Sequence, residues 1–203
     1  FGLLAGMLVM LSSFASPVAD RFVDGASYGD ERRFLLRAPG PVVLVLGPLS
    51  TAVTLGGAAV GPLLLLHSRW VVGAVATAIG LPLAALLIRS LHRLTRRWIV
   101  LVPAGFVLHD HLALAEPTLI QRAGLDRIGG ADADTDARDF TQQSRGLALE
   151  VRCRQPHDVL PVGSRGGTEV PVSEVQAVEA FLCSPARPDV VLAEAARRRL
   201  PVG

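Results

Sequence analysis

The sequence predicts an α+β membrane protein, in which a helical hairpin precedes a small β-rich domain that ends in a helix. Half of the 203 residues are hydrophobic and only 19% are charged, whereas soluble domains average about 25% charged residues. Two long stretches carry no ionisable residue, and charge returns with short alternating segments after residue 97. The mean hydropathy of +0.43 therefore indicates a membrane. A net charge of +2 gives no reason to expect nucleic-acid binding.

The first 37 residues divide into an apolar segment, residues 1–15, and a polar linker that covers residues 16–31 before the first flanking arginines. Four interpretations fit the apolar segment: the end of a signal sequence, a truncated span, a mis-assigned start, or an interfacial segment. No basic region precedes it, as a signal peptide would require. We therefore favour a fragment or an interfacial segment, and a true signal peptide would reverse the topology given below.

The middle of the chain, residues 38–97, is predicted to form a transmembrane helical hairpin. No residue from 38 to 66 is ionisable, and none from 70 to 88. A bilayer core of about 30 Å needs roughly 20 apolar helical residues, so the first run exceeds this length and the second just reaches it. The alternative is a buried helical pair in a soluble protein, but core helices of small domains seldom run this long without a polar face.

Small residues recur at helical spacing in this hairpin. Gly57 and Gly61 form a GxxxG motif in the first span, and Gly80 and Ala84 repeat the spacing in the second. Small residues let helix backbones approach closely in lipid. We predict helix packing through Gly57 and Gly61, within the hairpin or in a dimer, although a chain with 20 glycines also produces such spacings by chance.

Basic residues lie at the outer ends of the predicted hairpin and are scarce in its turn, which carries only Arg69. The positive-inside rule places the richer side in the cytoplasm. We therefore expect a multi-pass protein of the cell membrane with both termini cytoplasmic. The basic cluster after the second span lies where anionic headgroups attract each charge by about 1 kcal/mol. The residues assigned to lipid headgroups and the membrane interface are Arg89, Arg93, Arg96, Arg97, Trp70 and Trp98.

Residues 98–203 form the predicted soluble domain, because apolar and polar residues alternate there as in half-buried antiparallel strands. Gly105 predicts the turn of a β-hairpin, and Gly129-Gly130 predicts a turn over residues 126–130. The predicted strands are 98–103, 106–114, 118–121 and 145–154, with two further short segments at 157–162 and 169–172.

The end of the chain has two interpretations before its final helix. Ser173 fits a capping box that would begin a helix, whereas residues 178–183 also fit a final strand. Pro188 and Asp189 then suit the first turn of a helix over residues 189–200.

These segments, taken in order, resemble the bacterial pleckstrin-homology-like (bPH) domain. The likeness covers roughly residues 96–200, and its strongest part is Ser184-Pro185 followed by Pro188-Asp189 and a helix. Such domains often follow two transmembrane helices in bacterial membrane proteins, including actinobacterial ones. The resemblance implies an antiparallel PH-like β-sandwich of about seven strands, capped by a C-terminal helix, and it favours the strand at 178–183. The family supplies no catalytic residues.

Eukaryotic relatives of this family that bind inositol lipids use a basic strand hairpin. The corresponding segment here has no arginine between Trp98 and Leu114. The resemblance therefore implies no headgroup site in this hairpin.

No catalytic, cofactor or metal site is predicted. The acidic segment 132–139 suggests a calcium loop, but the EF-hand pattern needs glycine and glutamate where Ala137 and Gln143 stand. His109 and His111 would share a strand face, but no third ligand is identifiable nearby. The remaining candidates, Cys153 and Cys183, lack CxxC spacing and fit buried reduced thiols.

Together these expectations describe a non-enzymatic, membrane-anchored module for protein interaction or assembly. Its expected partners are membrane lipid and either another protein or a second copy of the chain, with no nucleic acid. The alternatives are a sensor of anionic lipid or a small ligand, and an accessory subunit of a membrane enzyme complex. Transport is disfavoured because neither span carries an ionisable residue in its middle.

Overall fold

The computed structural model describes residues 16–94, 96–162 and 174–203, which belong to two compact units. We call Ala38–Arg96 the hairpin unit, and the residues up to Arg37 together with Arg97–Gly203 the sheet unit. The helices are α1 (Ser16–Asp24), α2 (Gly47–Leu66), α3 (Trp70–Leu94) and α4 (Pro188–Arg197). The strands are β1 (Arg32–Leu35), β2 (Trp98–Val102), β3 (Gly105–His109), β4 (Thr118–Gln121), β5 (Leu125–Gly130), β6 (Arg138–Asp139), β7 (Leu149–Val159) and β8 (Gln176–Cys183).

The hairpin unit contains two helices that are long and apolar enough to cross a membrane. A π-helical stretch, Val42–Leu46, leads into α2, and a turn at residues 67–69 joins α2 to α3. Only 6% of the most apolar part of α2 and 17% of that of α3 are buried, whereas the core helix of a soluble protein is mostly buried. This supports association with a membrane, and it disfavours the soluble helical pair.

The sheet unit contains two four-stranded sheets. One has the order β1-β2-β3-β4, and all its neighbouring strands are antiparallel. The other has the order β5-β7-β8-β6, in which only the short β6–β8 pair is parallel. The coarse prediction of two membrane-capable helices, a β-rich region and a C-terminal helix is therefore confirmed.

One hydrophobic core joins the two sheets to α4. Phe106 of β3 contacts Phe181 of β8, with the ring centroids 6.1 Å apart. Val191 and Ala195 of α4 are fully buried in the same cluster. In β7 the predicted inner face is confirmed, because Leu149, Val151 and Cys153 are buried, whereas Glu150 of the predicted solvated face is buried as well. A single core of this kind explains why strands from two sheets form one unit.

The chain before the hairpin differs from the predicted polar linker. Residues 16–24 form α1, and β1 pairs along its whole length with β2. Phe34 and Leu36 alternate on the inner face and are only 2% and 3% exposed. The interpretation of residues 16–31 as a polar linker was wrong, because residues 16–24 form a helix that buries Asp20 and Val23. After this helix, β1 gains its partner strand from beyond the hairpin. The hairpin is therefore an insertion between two neighbouring strands, and residues 1–15 lie outside the described residues.

Two strand boundaries also differ from prediction. The strand expected to reach residue 114 ends at His109, because the Asp110 carboxylate accepts the backbone N–H of Leu112 and closes a turn. The turn predicted over residues 126–130 is instead β5, which pairs with β7. Ile128 is fully buried there, so packing overrides the turn preference of the two glycines.

The clearest predicted strand, residues 145–154, begins later and runs further, as β7. Residues 178–183 belong to β8, so the strand interpretation is confirmed over the helix. The predicted final helix is confirmed as α4 and ends three residues earlier than expected. Ser173 and the segment 169–172 lie outside the described residues.

Candidate anchoring and interaction sites

A buried ion pair lies at the root of the hairpin. Arg97 donates from Nε to Asp110 Oδ1 at 2.7 Å and from Nη2 to Asp110 Oδ2 at 2.6 Å. The two side chains are 1% and 0% exposed. A third donor, Nη1, reaches the carbonyl oxygen of Arg37 at 2.9 Å. We call this arrangement the root clasp.

The prediction that Arg97 contacts lipid headgroups was wrong. Its guanidinium is enclosed in the sheet unit and held by the Asp110 carboxylate in a paired, two-bond geometry. Desolvating a charge is tolerated only when the charge is paired and hydrogen-bonded, which is the case here. The sequence signal was Asp110, an acidic residue in the middle of an otherwise apolar alternation, but its partner could not be read from spacing.

The root clasp brings both ends of the inserted hairpin together. The Leu36 N–H donates to the Arg97 carbonyl at 3.0 Å, and the Arg37 N–H donates to the Ser184 carbonyl at 2.8 Å. The Arg37 guanidinium also donates to the carbonyl of Arg145 at 3.0 Å. The chain therefore leaves the sheet unit at Arg37 and returns to it at Arg97, at one place.

The other predicted interface residues fall in two different environments. Trp70 begins α3 and is 67% exposed. Trp98 does not end α3 but begins β2, where its ring stacks on His109 at 4.8 Å and lies 5.7 Å from the Arg33 guanidinium carbon. Trp98 therefore belongs to the sheet unit.

The remaining arginines of the predicted cluster lie near the C-terminal end of the hairpin unit. Arg89 lies on α3 and is exposed, as is Arg96 just after the helix. Arg93 lies on α3 between them, and its side chain is outside the described residues. Two exposed guanidinium groups are thus in place for contact with anions.

The predicted small-residue positions mediate packing within the hairpin unit. A Cβ atom added to Gly57 would lie 2.8 Å from the Gly80 carbonyl oxygen and 3.3 Å from Gly80 Cα. Gly61 is buried against the backbone of Thr77. A Cβ atom cannot fit at such distances without separating the helices. The structure therefore uses both glycines between α2 and α3.

The edge of β8 carries a groove of about 380 Å³. Among the described strands, β6 pairs with β8 only at Phe181 and Leu182, so residues 176–180 have no strand on that side. Because Leu182 directs its carbonyl outward to Phe140, strand alternation also directs the backbone of Ala180, Val178 and Gln176 outward. The groove is lined by Asp136, Arg138, Arg152, Gln176, Ala177, Val178, Glu179 and Ala180.

The edge of β1, in contrast, is covered by α1. Asp20 Oδ1 accepts the Leu35 N–H at 3.2 Å, and Asp24 Oδ1 accepts the Arg33 N–H at 3.1 Å. These carboxylates take the place of a neighbouring strand. Burial raises the pKa of Asp20 despite the hydrogen bond from Leu35. The helix thereby protects this edge, and the β8 edge is the more accessible of the two.

The described residues contain no group of three or more His, Cys, Asp or Glu side chains that could hold a metal ion. Cys153 and Cys183 are free and buried, and burial raises the pKa of Cys183 to about 12. Within the acidic segment, the Thr135 hydroxyl donates to Glu150 at 2.6 Å. These groups therefore offer packing and local hydrogen bonds rather than an assembled reactive centre.

The sequence matches no protein-family model, and comparisons with curated proteins and with solved structures give no match either. The pleckstrin-homology-like resemblance accordingly rests on the sequence pattern.

Proposed function

We propose that this protein is a non-enzymatic, membrane-anchored assembly module. In this proposal the hairpin unit spans the cell membrane, and the sheet unit is a cytoplasmic PH-like domain that binds an extended segment of a partner protein. The open edge of β8 is the observation that carries the proposal, since edge strands bind peptides by adding a strand.

The root clasp supports the anchoring part of this proposal. The chain leaves the sheet unit and returns to it at one place. In this proposal the start of α2 and the end of α3 therefore lie on the same side of the bilayer. Exposed Arg89 and Arg96 favour the cytoplasmic side. Ser68, in the turn, is then external. Thiol labelling of Ser68→Cys and Ser144→Cys in intact cells tests this arrangement: only Ser68→Cys should react with an impermeant reagent, and the reverse pattern contradicts it.

The groove supports the interaction part. It combines outward backbone groups of β8 with the exposed charges Arg138 and Glu179. Backbone groups supply hydrogen bonds for an added strand, and flanking charges select its side chains. The sheet unit therefore offers a site for an extended polypeptide rather than for a small molecule.

A photo-reactive amino acid at Glu179, in the full chain and in native membranes, tests strand addition. We expect a discrete cross-linked protein, which Gln176→Pro should abolish because proline removes an outward N–H of β8. Glu174→Pro is the matched control, since it precedes the strand. A tagged second copy in the same cells identifies a homo-oligomer. The proposal is contradicted if the cross-linked protein persists in the Gln176→Pro variant, or if the only cross-linked product is lipid.

Binding of anionic lipid is the second candidate, favoured by the exposure of Arg89 and Arg96. The double variant Arg89→Gln/Arg96→Gln should reduce retention of phosphatidylglycerol by the detergent-purified protein, by about 1 kcal/mol per charge. Native mass spectrometry measures the retained lipid. Equal retention by the parent and the variant at low salt removes this candidate.

A further inference from the structure

Exposed aromatic side chains in the described sheet unit are confined to the segment before β1. Phe22 of α1 is 83% exposed and Tyr28 is 89% exposed. The other phenylalanines described in this unit are buried, including Phe34 only a few residues later. An exposed aromatic pair on a unit that buries its other described phenylalanines indicates a surface with an apolar partner.

Helix α1 has two distinct faces. Asp20, Val23 and Asp24 face the sheet unit, where the two carboxylates accept backbone N–H groups of β1. Val18 and Phe22 are one helical turn apart and both exposed, so they share the opposite face. The α1 helix is therefore held by its polar contacts and presents an apolar stripe outward.

A basic side chain accompanies the stripe. Arg21 precedes Phe22 and is exposed. The acidic residues of the helix, Asp20 and Asp24, accept hydrogen bonds from β1 on the other face. The charge on the outer face of α1 is therefore that of Arg21, which is positive. Aromatic and aliphatic side chains with an arginine are the composition of helices that lie in the headgroup region of anionic bilayers.

The position of α1 in the chain favours lipid as the occupant. No residue from 1 to 19 has an ionisable side chain, and the hairpin unit begins at residue 38. The segment from α1 to β1 thus lies between two stretches whose composition suits a membrane. Binding of another protein to the outer face of α1 would not require apolar stretches on both sides of this segment.

We propose that the outer face of α1, with Tyr28, lies in the headgroup region of the bilayer and forms a third membrane contact beside the two spanning helices. This inference rests on the proposed membrane insertion of the hairpin unit. Its partner is a lipid surface that contains anionic headgroups, which pair with Arg21 while Val18 and Phe22 enter the boundary between headgroups and acyl chains.

Depth-dependent fluorescence quenching of the full chain tests the proposal. The protein is reconstituted in vesicles of phosphatidylcholine and phosphatidylglycerol, with an environment-sensitive thiol dye at Phe22→Cys or Val18→Cys. The controls are Val71→Cys on the exposed surface of α3 and Asp136→Cys, whose side chain is 90% exposed in the sheet unit. Cys153 and Cys183 are buried, and the parent chain measures their background labelling.

We expect nitroxide lipids labelled near the headgroup to quench the dye at Phe22→Cys and Val18→Cys, and aqueous iodide to lose its effect there. The dye at Asp136→Cys should respond only to iodide. If Val71→Cys is quenched by lipid while the α1 positions respond only to iodide, the inference is overturned and the spanning hairpin stands. Shielding of α1 from both quenchers shows a protein cover, from residues 1–15 or a second copy, and also overturns it. Failure at Val71→Cys as well contradicts the proposed insertion itself.

Discussion

The hairpin unit and the sheet unit bury opposite kinds of side chain. Leu66 and Val71 of the hairpin unit are 80% and 78% exposed, while Gly57, Gly61 and Gly80 lie inside the helix contact. In the sheet unit Ile99 and Leu101 are fully buried, and the enclosed polar groups include the Arg97–Asp110 ion pair. The comparison teaches that the two units suit different solvents. The surface of the hairpin unit suits lipid, in which apolar side chains gain nothing by burial, and the core of the sheet unit is typical of folding in water.

The root clasp should give the largest effect. Asp110→Ala leaves the Arg97 guanidinium buried without its partner, which costs about 3–5 kcal/mol. Denaturant titration of the detergent-solubilised protein, followed by alkylation of the buried Cys183, measures the free energy of unfolding of the sheet unit. The double variant Arg97→Met/Asp110→Leu should recover most of the loss. A single variant as stable as the parent would show that the pair is not enclosed.

A core substitution in β1 should come next. Phe34→Ala removes a buried ring from an edge strand and should destabilise the sheet unit by about 3 kcal/mol. Leu63→Ala in α2, where the side chain is 52% exposed, is the matched change in the hairpin unit and should leave the sheet unit unchanged. The same titration measures both. Equal losses would break the contrast between the two units.

In the hairpin unit, a larger side chain should destabilise the helix packing at Gly57 but not at the neighbouring Gly56. Gly57→Leu forces a side chain against Gly80 and should cost about 1–3 kcal/mol. Gly56→Leu is the control, because a Cβ atom at Gly56 meets no atom within 4 Å. Thermal loss of helical circular dichroism in detergent compares the two variants. Indistinguishable melting would place the helix contact elsewhere.

The smallest effect should come from Glu194 of α4. Burial opposes its ionisation, but hydrogen bonds from Arg198 and Arg197 outweigh burial, so its pKa lies below the usual 4.5. Its contribution to stability is therefore present above about pH 4.5 and is lost as the pH falls through the lowered pKa. At neutral pH Glu194→Gln should cost about 0.5 kcal/mol.

Denaturant titrations at several pH values measure this dependence. Glu194→Gln should flatten the acid limb of the stability profile relative to the parent, whereas Glu179→Gln, at an exposed position on β8, serves as the control. An identical acid limb in the parent and in Glu194→Gln would show that the arginine contacts contribute no pH dependence.

The sequence was most informative where a long segment has one uniform composition, suited to a single solvent. The charge-free runs predict α2 and α3 because composition alone determines whether a helix suits lipid. Strands β2, β3 and β7 were also predictable, since alternation reports a half-buried strand directly. The composition of a segment is a local property, and these elements depend on little else.

The missed features depend on contacts between distant parts of the chain. Strand β1 has four residues, and its partner β2 begins more than 60 residues later. The glycines of β5 favour a turn until β7 pairs with them. In the sequence Arg97 has the same neighbours as the other basic residues that follow the second apolar run. Only the pairing of β2 with β3 brings it to Asp110. The candidate groove also required the strand order, which no periodicity supplies.

The insertion of the hairpin between β1 and β2 also fixes an order of events during synthesis. A ribosome makes Phe34 and Leu36 before either helix of the hairpin unit, and β2, the strand that pairs with β1, emerges only after both. Until then β1 lacks the strand with which it pairs. Completion of the first sheet therefore waits until both helices of the hairpin unit have been synthesised.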